Sequence, residues 1–551
     1  MKKLLILLTA LLVSARLFAQ IDPTVVIDRE FEGQIDMDAR MPLAEGAASI
    51  ADSLKVFDVS FDYSIFNRPF RDLYEFSPYQ AASLGVVPMK PIPHFHARVA
   101  SQYPFMPELD FYGQMVPKKN PNINVGMYVK YASEVGRVPS MHEMFDKLDV
   151  RRSKVTAGAD FKYAWDKGEL NLDASYRYSA AKDMHEAFAT FPKDSARHSV
   201  NAFDVDFKIR STNTKDKDFY YDIDASLSGA TKTLGLVPQF ADFSAGETAL
   251  NIDALFGSSF EEHRMYVDVR TQNIWYTQLD GYYMGIIEFT PIYRYAKGRF
   301  DGRFGICFSN SFTGDNMTSI YPDVDMKLEV LLNKLWVRAV ANGGRNIDWL
   351  GLHYEAAPWL MMGLDGSKQK YTTRPVDAKI AVEGIIGSRF GLNVYGTYTS
   401  YKNKMLLYSA RFDNQLPYIY PEFADYVKMS AGMELTWTSK DLRLFATVQG
   451  NKYNSSKTLY MLPAIESITQ LEYNFKERLY LSAGLVIQGS RISQLGDVPT
   501  YLDLSAKAEF KVNRFLSVYA KGGNLLNREN YYFAGIARMP VNVGGGICLD
   551  F

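Results

Sequence analysis

The chain has little of what organises most proteins of its length. It has two cysteines in 551 residues, Cys307 and Cys548, so there is no disulfide framework. It has 7 histidines and 6 tryptophans, and the histidines are scattered. No G-x-S-x-G elbow surrounds a serine, and no strand-to-helix phosphate loop follows the glycines of GRFGICFSNS or KGGNLLN, so catalysis and nucleotide cofactors are not expected. The formal net charge is −1, which leaves no global basic field, and no basic cluster carries a nucleic-acid motif, so nucleic acid is not an expected partner. Beyond the N-terminal leader no run reaches about 18 apolar residues, which excludes a transmembrane helix.

The leader is MKKLLILLTALLVSARLFAQ. Lys2 and Lys3 precede an apolar stretch from Leu4 to Ala15, and Ala19 offers a small residue for cleavage. Residues 1–19 therefore read as a secretory signal peptide. Both cysteines fall on the polar face of expected strands, as two unpaired small residues.

What is abundant is aromatic. Tyr and Phe number 36 and 35, a composition suited to many strands and to interfacial girdles. From residue 94 onward, apolar and polar residues alternate almost everywhere. In YLDLSAKAEFKV, Leu502, Leu504, Ala506, Ala508, Phe510 and Val512 share one face, and Asp503, Ser505, Lys507, Glu509 and Lys511 share the other. FDVDFKI sets Phe203, Val205, Phe207 and Ile209 against Asp204, Asp206 and Lys208. The terminal VNVGGGICLDF behaves alike, with Val541, Val543, Gly545, Ile547, Leu549 and Phe551 on one side. Period two is the signature of a strand.

Connectivity separates a membrane barrel from a soluble sandwich. Tight links are expected near Asn120, Lys167, Asp216, Glu261, Gly298, Asn333, Ser388, Lys440, Glu477 and Asn513. Between them fall longer loops at 134–153, 180–198, 230–247, 313–319, 347–376, 403–425, 453–466 and 489–500, with a short exception at 278–282. Short turns at one end and longer loops at the other are the pattern of an outer-membrane barrel. Lipid cannot satisfy a free backbone group, so such a sheet must close on itself. We expect an all-β fold: one large antiparallel transmembrane barrel over 94–551, of about 22 strands (range roughly 18–22). Segment 20–93, with the Pro-rich VVPMKPIPHFH, reads as an extended arm that lies in the periplasm or threads the lumen.

The last hairpin, LSVYAKGGNLLNRENYYFAGIARMPVNVGGGICLDF, carries a likeness. Asn524-Leu525-Leu526-Asn527, a Tyr soon after, Arg538 and a Gly-containing last strand ending in Phe resemble the end of TonB-dependent receptor barrels, in the style of the Bacteroidota. The resemblance implies a cell outer-membrane location, contact with outer-membrane lipid and solute passage. It also implies that Val543, Ile547, Leu549 and Phe551 serve as the C-terminal signal read by the barrel-assembly machinery. Such receptors carry a folded plug much longer than segment 20–93, which shows no plug-like alternation. The expectation is thus a plugless receptor-type barrel, giving passive or partner-gated passage. The alternative is a non-transporting scaffold in an outer-membrane complex, with a lipoprotein or other envelope protein as partner.

Three local candidates stand out. His94 and His96 share a strand face and could ligate a metal with a third group, but none lies at a telling spacing. Asp204, Asp206, Asp222 and Asp224 form a candidate acidic cluster on the lumen wall, facing Lys208 and Arg210. Trp349, Tyr354, Trp359 and Tyr371 mark a candidate extracellular binding loop, or else a loop folded over the barrel mouth. Asp194-Ser195-Ala196 is similar to an O-glycosylation acceptor of the same phylum.

Overall fold

The computed structural model describes residues 95–551 except 143–144, 185–196, 213–218, 235–242, 278–281, 314–316, 362–368, 388 and 412–416. The leader 1–19, the arm 20–93, His94 and Asp194-Ser195-Ala196 lie outside the described residues. In chain order come β1 (Phe95–Tyr103), β2 (Glu108–Met115), β3 (Ile123–His142), β4 (Phe145–Trp165), β5 (Gly168–Met184), β6 (Arg197–Ser211), β7 (Phe219–Leu234) and β8 (Phe243–Phe260). Next are β9 (His263–Tyr276), β10 (Tyr283–Lys297), β11 (Phe300–Ser311), β12 (Thr318–Leu331), β13 (Leu335–Ile347) and the short helix α1 (Leu350–Ala356). Then follow β14 (Tyr371–Ile386), β15 (Phe390–Arg411), β16 (Pro417–Thr438), β17 (Leu442–Asn454), β18 (Ile465–Phe475), β19 (Leu479–Gln488), β20 (Tyr501–Lys511) and β21 (Leu516–Gly523). A small ribbon of β22 (Tyr531–Phe533) and β23 (Ile536–Ala537) precedes the last strand, β24 (Asn542–Asp550).

Each strand from β1 to β21 pairs antiparallel with its successor, β21 pairs with β24, and β24 pairs back onto β1, giving one closed sheet of 22 strands. The even number puts β1's start and β24's end on the same side. Phe95 and Phe551 exchange backbone hydrogen bonds there, and Phe551 stacks on Phe515. This is the short-turn end, periplasmic in barrels of this kind. Its turns use left-handed backbone at Glu261, Gly298, Asn333, Gly387 and Glu477.

Alternation sorts the side chains. On β6 Phe203 and Val205 face outward and Asp204 inward; on β24 Val543 and Ile547 face outward while Asn542 and Cys548 are buried inside. The outer wall is a continuous apolar surface and the inner wall is polar, the inverse of a soluble barrel. Ile380, midway along β14, faces outward at 64% exposure. Ile380→Arg should cost about 2–4 kcal/mol, the penalty for a cation at the bilayer midplane. Denaturant unfolding in liposomes measures it, and a cost near zero would move that stretch of β14 out of the hydrocarbon.

Two expected loops prove to be strands. β3 and β4 stay in register up to Pro139↔Lys147, and β15 and β16 stay paired, through one register shift after Tyr401, up to Arg411↔Pro417, so most of 134–153 and 403–425 is paired sheet. Above the membrane the paired strands still satisfy each other's backbone groups. Their inner face is also covered: Val138, Leu148, Met405, Leu407 and Ile419 are buried in one apolar cluster inside the mouth. Gly, Pro and Ser in these stretches mimic loop composition without breaking the ladder.

Candidate functional site

The candidate site is the mouth of the lumen at the long-loop end, where residues 349–361 form an inward segment, the lid. In the β13–β14 connection, α1 and residues 357–361 turn into the barrel. The segment LGLHYEAAPWL places Leu350, Tyr354 and Ala357 at helical spacing, and these join Trp359 and Leu360 in the buried cluster. One wall holds it through polar anchors. Glu247 of β8 accepts a hydrogen bond from the Gly351 N–H, and Lys232 of β7 donates to the Leu360 carbonyl. The Lys232 ammonium also lies 5.0 Å from the Tyr354 ring centroid. Arg177 of β5 binds Glu355 at 2.6 Å, and Gln272 of β9 exchanges two hydrogen bonds with the Ile347 backbone at 2.8 and 2.9 Å. On another wall Trp359 and Met361 bond to the Ile419 backbone of β16 at 3.1 and 2.6 Å. The segment thus reaches across the lumen.

A second inward element comes from the β21–β24 connection. Tyr531, Tyr532, Phe533, Ala534, Ile536 and Met539 are all buried in the same cluster. Arg491 donates to the Tyr532 and Tyr531 carbonyls at 3.0 and 2.5 Å, and Arg538 binds Asp503 at 2.6 Å. The two elements meet at Arg152 of β4. Its guanidinium lies 5.2 Å from the Trp359 ring centroid and 5.8 Å from that of Tyr532. Asp183 holds the same guanidinium bidentately, at 2.6 and 3.2 Å. Both partners are buried, so Arg152→Ala should cost about 3–5 kcal/mol by stranding a buried carboxylate. Adding Asp183→Asn should recover much of that loss in denaturant unfolding. A single-mutant cost under about 1 kcal/mol would mean that the pair is hydrated.

At the root of the lid, Asp348 accepts from Lys404 at 2.8 Å and from Thr372 at 2.9 Å. Burial raises the Asp348 carboxyl, but Lys404, His353 and Thr372 together outweigh it and hold it below the usual range. His353, on α1, is buried with its Nδ1 unpartnered. Burial dominates its charge state, pushing it down to about 4 against the pull of Asp348.

Away from the lid the lumen wall is charged and internally balanced. Arg98 pairs with Asp110 at 2.8 Å, Lys507 with Glu509 at 2.7 Å, Arg303 with Asp323 at 2.7 Å and Lys327 with Glu383 at 2.9 Å.

The residues singled out in the sequence are placed as follows. Asp204 is buried, accepts from Ser228 at 2.7 Å and pairs with Arg177, the same arginine that holds Glu355. Asp222 and Asp224 share Lys208 at 3.8 and 3.6 Å, and Asp206 faces Ser226 across the ladder. The four aspartates are therefore interleaved with cations rather than gathered. Tyr354 and Trp359 are 2% and 3% exposed, Trp349 packs against the cluster, and the Tyr371 hydroxyl accepts from the backbone N–H groups of Gly285 and Thr313. None of the four stands clear of the barrel as a free aromatic finger. Val543, Ile547 and Phe551 face outward, with Leu549 half-buried. Cys307 and Cys548 are unpaired and buried. The anchors Glu247, Lys232 and Arg152 carry no local signal, since each is one more polar residue in an alternating strand. The lid does carry one: a helical apolar run in a loop that should face water.

No family model matches the chain, and no curated protein matches its sequence. Solved structures match its shape. The siderophore receptor PirA from Acinetobacter baumannii is 10% identical, with a TM-score of 0.63 over 84% of this chain and 81% of that one. The copper transporter OprC is 9% identical, with a TM-score of 0.61 over 83% and 80%. A mutant form of the ferric enterobactin receptor PfeA from Pseudomonas aeruginosa is 10% identical, with a TM-score of 0.61 over 83% and 80%. At such identities the likeness is one of fold. Its 22 antiparallel strands, apolar outer wall and shape make this chain an outer-membrane β-barrel that resembles the barrel of TonB-dependent receptors.

Proposed function

We propose that the chain is a lid-gated conduit for a solute across the outer membrane. The observation that carries this reading is the contrast inside the barrel. A charged, balanced wall suited to water lies behind a mouth closed by the chain's own loops. A barrel of about 22 strands is wide and would leak if it stood open. The lid is tied largely by ion pairs and side-chain-to-backbone bonds, which water and ligand can replace. The fold neighbours are named as siderophore receptors and a copper transporter, which favours uptake over chemistry. Passage is gated by an envelope protein or lipoprotein, or by the solute itself. The arm 20–93 lies in the periplasm or enters the lumen from below as a short substitute for a plug.

One observation favours a second reading. The lid's apolar cluster is buried like a protein core, which suits a permanently sealed scaffold within an envelope complex. Single-channel conductance separates the two, measured on the purified barrel in a planar bilayer, intact and with residues 20–93 deleted. Conductance that appears with solute, voltage or loss of the arm supports the conduit. Silence under all of these supports the scaffold.

A further inference from the structure

We propose that the seam where the first and last strands join is a binding site for a thiophilic divalent metal ion such as Zn²⁺, formed by His96, Cys548 and Asp550. In β1 and β24 the ladder sets His96 opposite Asp550 and Arg98 opposite Cys548. Period two then turns His96, Cys548 and Asp550 to the lumen side, while Val99 and Ile547 face outward. The His96 Nδ1 lies 2.7 Å from Asp550 Oδ1 and 3.6 Å from Cys548 Sγ, and Cys548 Sγ lies 3.8 Å from Asp550 Oδ2. A tetrahedral zinc with ordinary Zn–N, Zn–O and Zn–S bonds holds such donors about 3.4–3.6 Å apart. The trio therefore needs only sub-ångström adjustment to enclose an ion.

The donors are also sheltered: His96 and Cys548 are 7% and 3% exposed, which limits the access of competing water to two of the three. Nearby cations do not oppose the ion. Arg98, Lys507 and Lys521 are each matched by their own carboxylate, Asp110, Glu509 and Glu108. Among the described residues this is the one such grouping of three metal-ligating side chains. His96 lies more than 450 positions from Cys548 and Asp550, which is why the partners it lacks in the sequence are invisible there.

The donor set selects the ion. Thiolate and imidazole favour Zn²⁺, Co²⁺ or copper, and a single carboxylate is too few oxygens for Ca²⁺ or Mg²⁺. Binding forms the metal–sulfur bond and releases the Cys548 thiol proton to solvent. Three protein ligands leave a fourth position for water or a lumen solute. The ion would staple the two strands that close the barrel.

The test uses the full chain in detergent, stripped with a chelator and titrated with Zn²⁺ and then Co²⁺. The expected result is one equivalent bound, a higher melting temperature and a thiolate-to-Co²⁺ charge-transfer band in the near ultraviolet. Cys548→Ser should abolish the band and Cys307→Ser should keep it. Asp550→Asn, which preserves shape, should weaken binding by about tenfold or more. Circular dichroism confirms that each variant keeps its barrel. Sub-stoichiometric binding, no thiolate band, or a band that survives in Cys548→Ser would overturn the site.

Discussion

Replacing residues 349–361 with a short Gly-Ser linker turns a silent barrel into a conducting one. The replaced stretch carries α1, Tyr354, Glu355, Trp359 and Leu360, and with them the contacts described above from this connection to β5, β7, β8 and β16. The wall left behind is a ring of ion-paired side chains that water can enter. The 22 strands remain closed because no lid residue takes part in the barrel ladders. The variant should therefore fold, and antibiotic uptake by cells producing it should rise together with bilayer conductance. Exchanging 528–541 as well should enlarge the conductance steps, since the buried aromatics of β22 and the residues after it fill the same space. If arm 20–93 blocks the lumen from below, steps appear only when it is also deleted. Silence in all three variants would mean that neither loop nor arm closes the pore, and the conduit reading would fall.

Acidification should release the same lid, and the sign follows from His353. Its ordinary value is 6.5 and its buried value is about 4. Burial favours the neutral ring, so the closed lid has its full stability above 6.5. As pH falls from 6.5 towards 4, the released lid takes up a proton that the closed lid refuses. Closure weakens throughout that window, by at most about 3.5 kcal/mol at roughly 1.4 kcal/mol per pKa unit. Below it, loss of the Asp348–Lys404 pair adds in the same direction, because that carboxyl is held low in the closed state and its contribution fades only as pH drops beneath 3.8. Conductance or hydrogen exchange of α1 should therefore rise between pH 6.5 and 4. His353→Gln, which cannot titrate there, should flatten the profile in that window while leaving any change below pH 3.8. An equal response in His353→Gln and the parent would remove His353 from the gate.

The sequence made the barrel legible because the outer wall must be apolar at every second residue. Phe203, Val205, Val543 and Ile547 stand where period two puts them. The turns were equally plain, since short connections draw on residues such as Gly298 and Asn333 that tolerate left-handed backbone. The lid was not legible in the same way. A run such as LGLHYEAAPWL shows that a loop is apolar, but not which wall will receive it. That depends on Glu247, Lys232 and Arg177, contributed by strands about 100 or more residues earlier. The aspartates of β6 and β7 were legible as residues of the polar face with Lys208 beside them, whereas the pairing of Asp204 with Arg177 of β5 is set by the register between strands. The long hairpins β3–β4 and β15–β16 were hidden by Gly and Pro, which pairing overrides when the partner strand is already in place.

Arg152 touches the rings of two loops that belong to different hairpins. Departure of either loop opens Arg152 to water, which weakens its cation–π contact with the other. In thermodynamic terms the two departures share a coupling free energy, and linkage makes it reciprocal. A molecule that grips only the β21–β24 loop would therefore loosen the β13–β14 loop without touching it, and the converse holds with equal strength. The mouth behaves as a two-key lock in which each key, once turned, makes the other easier to turn.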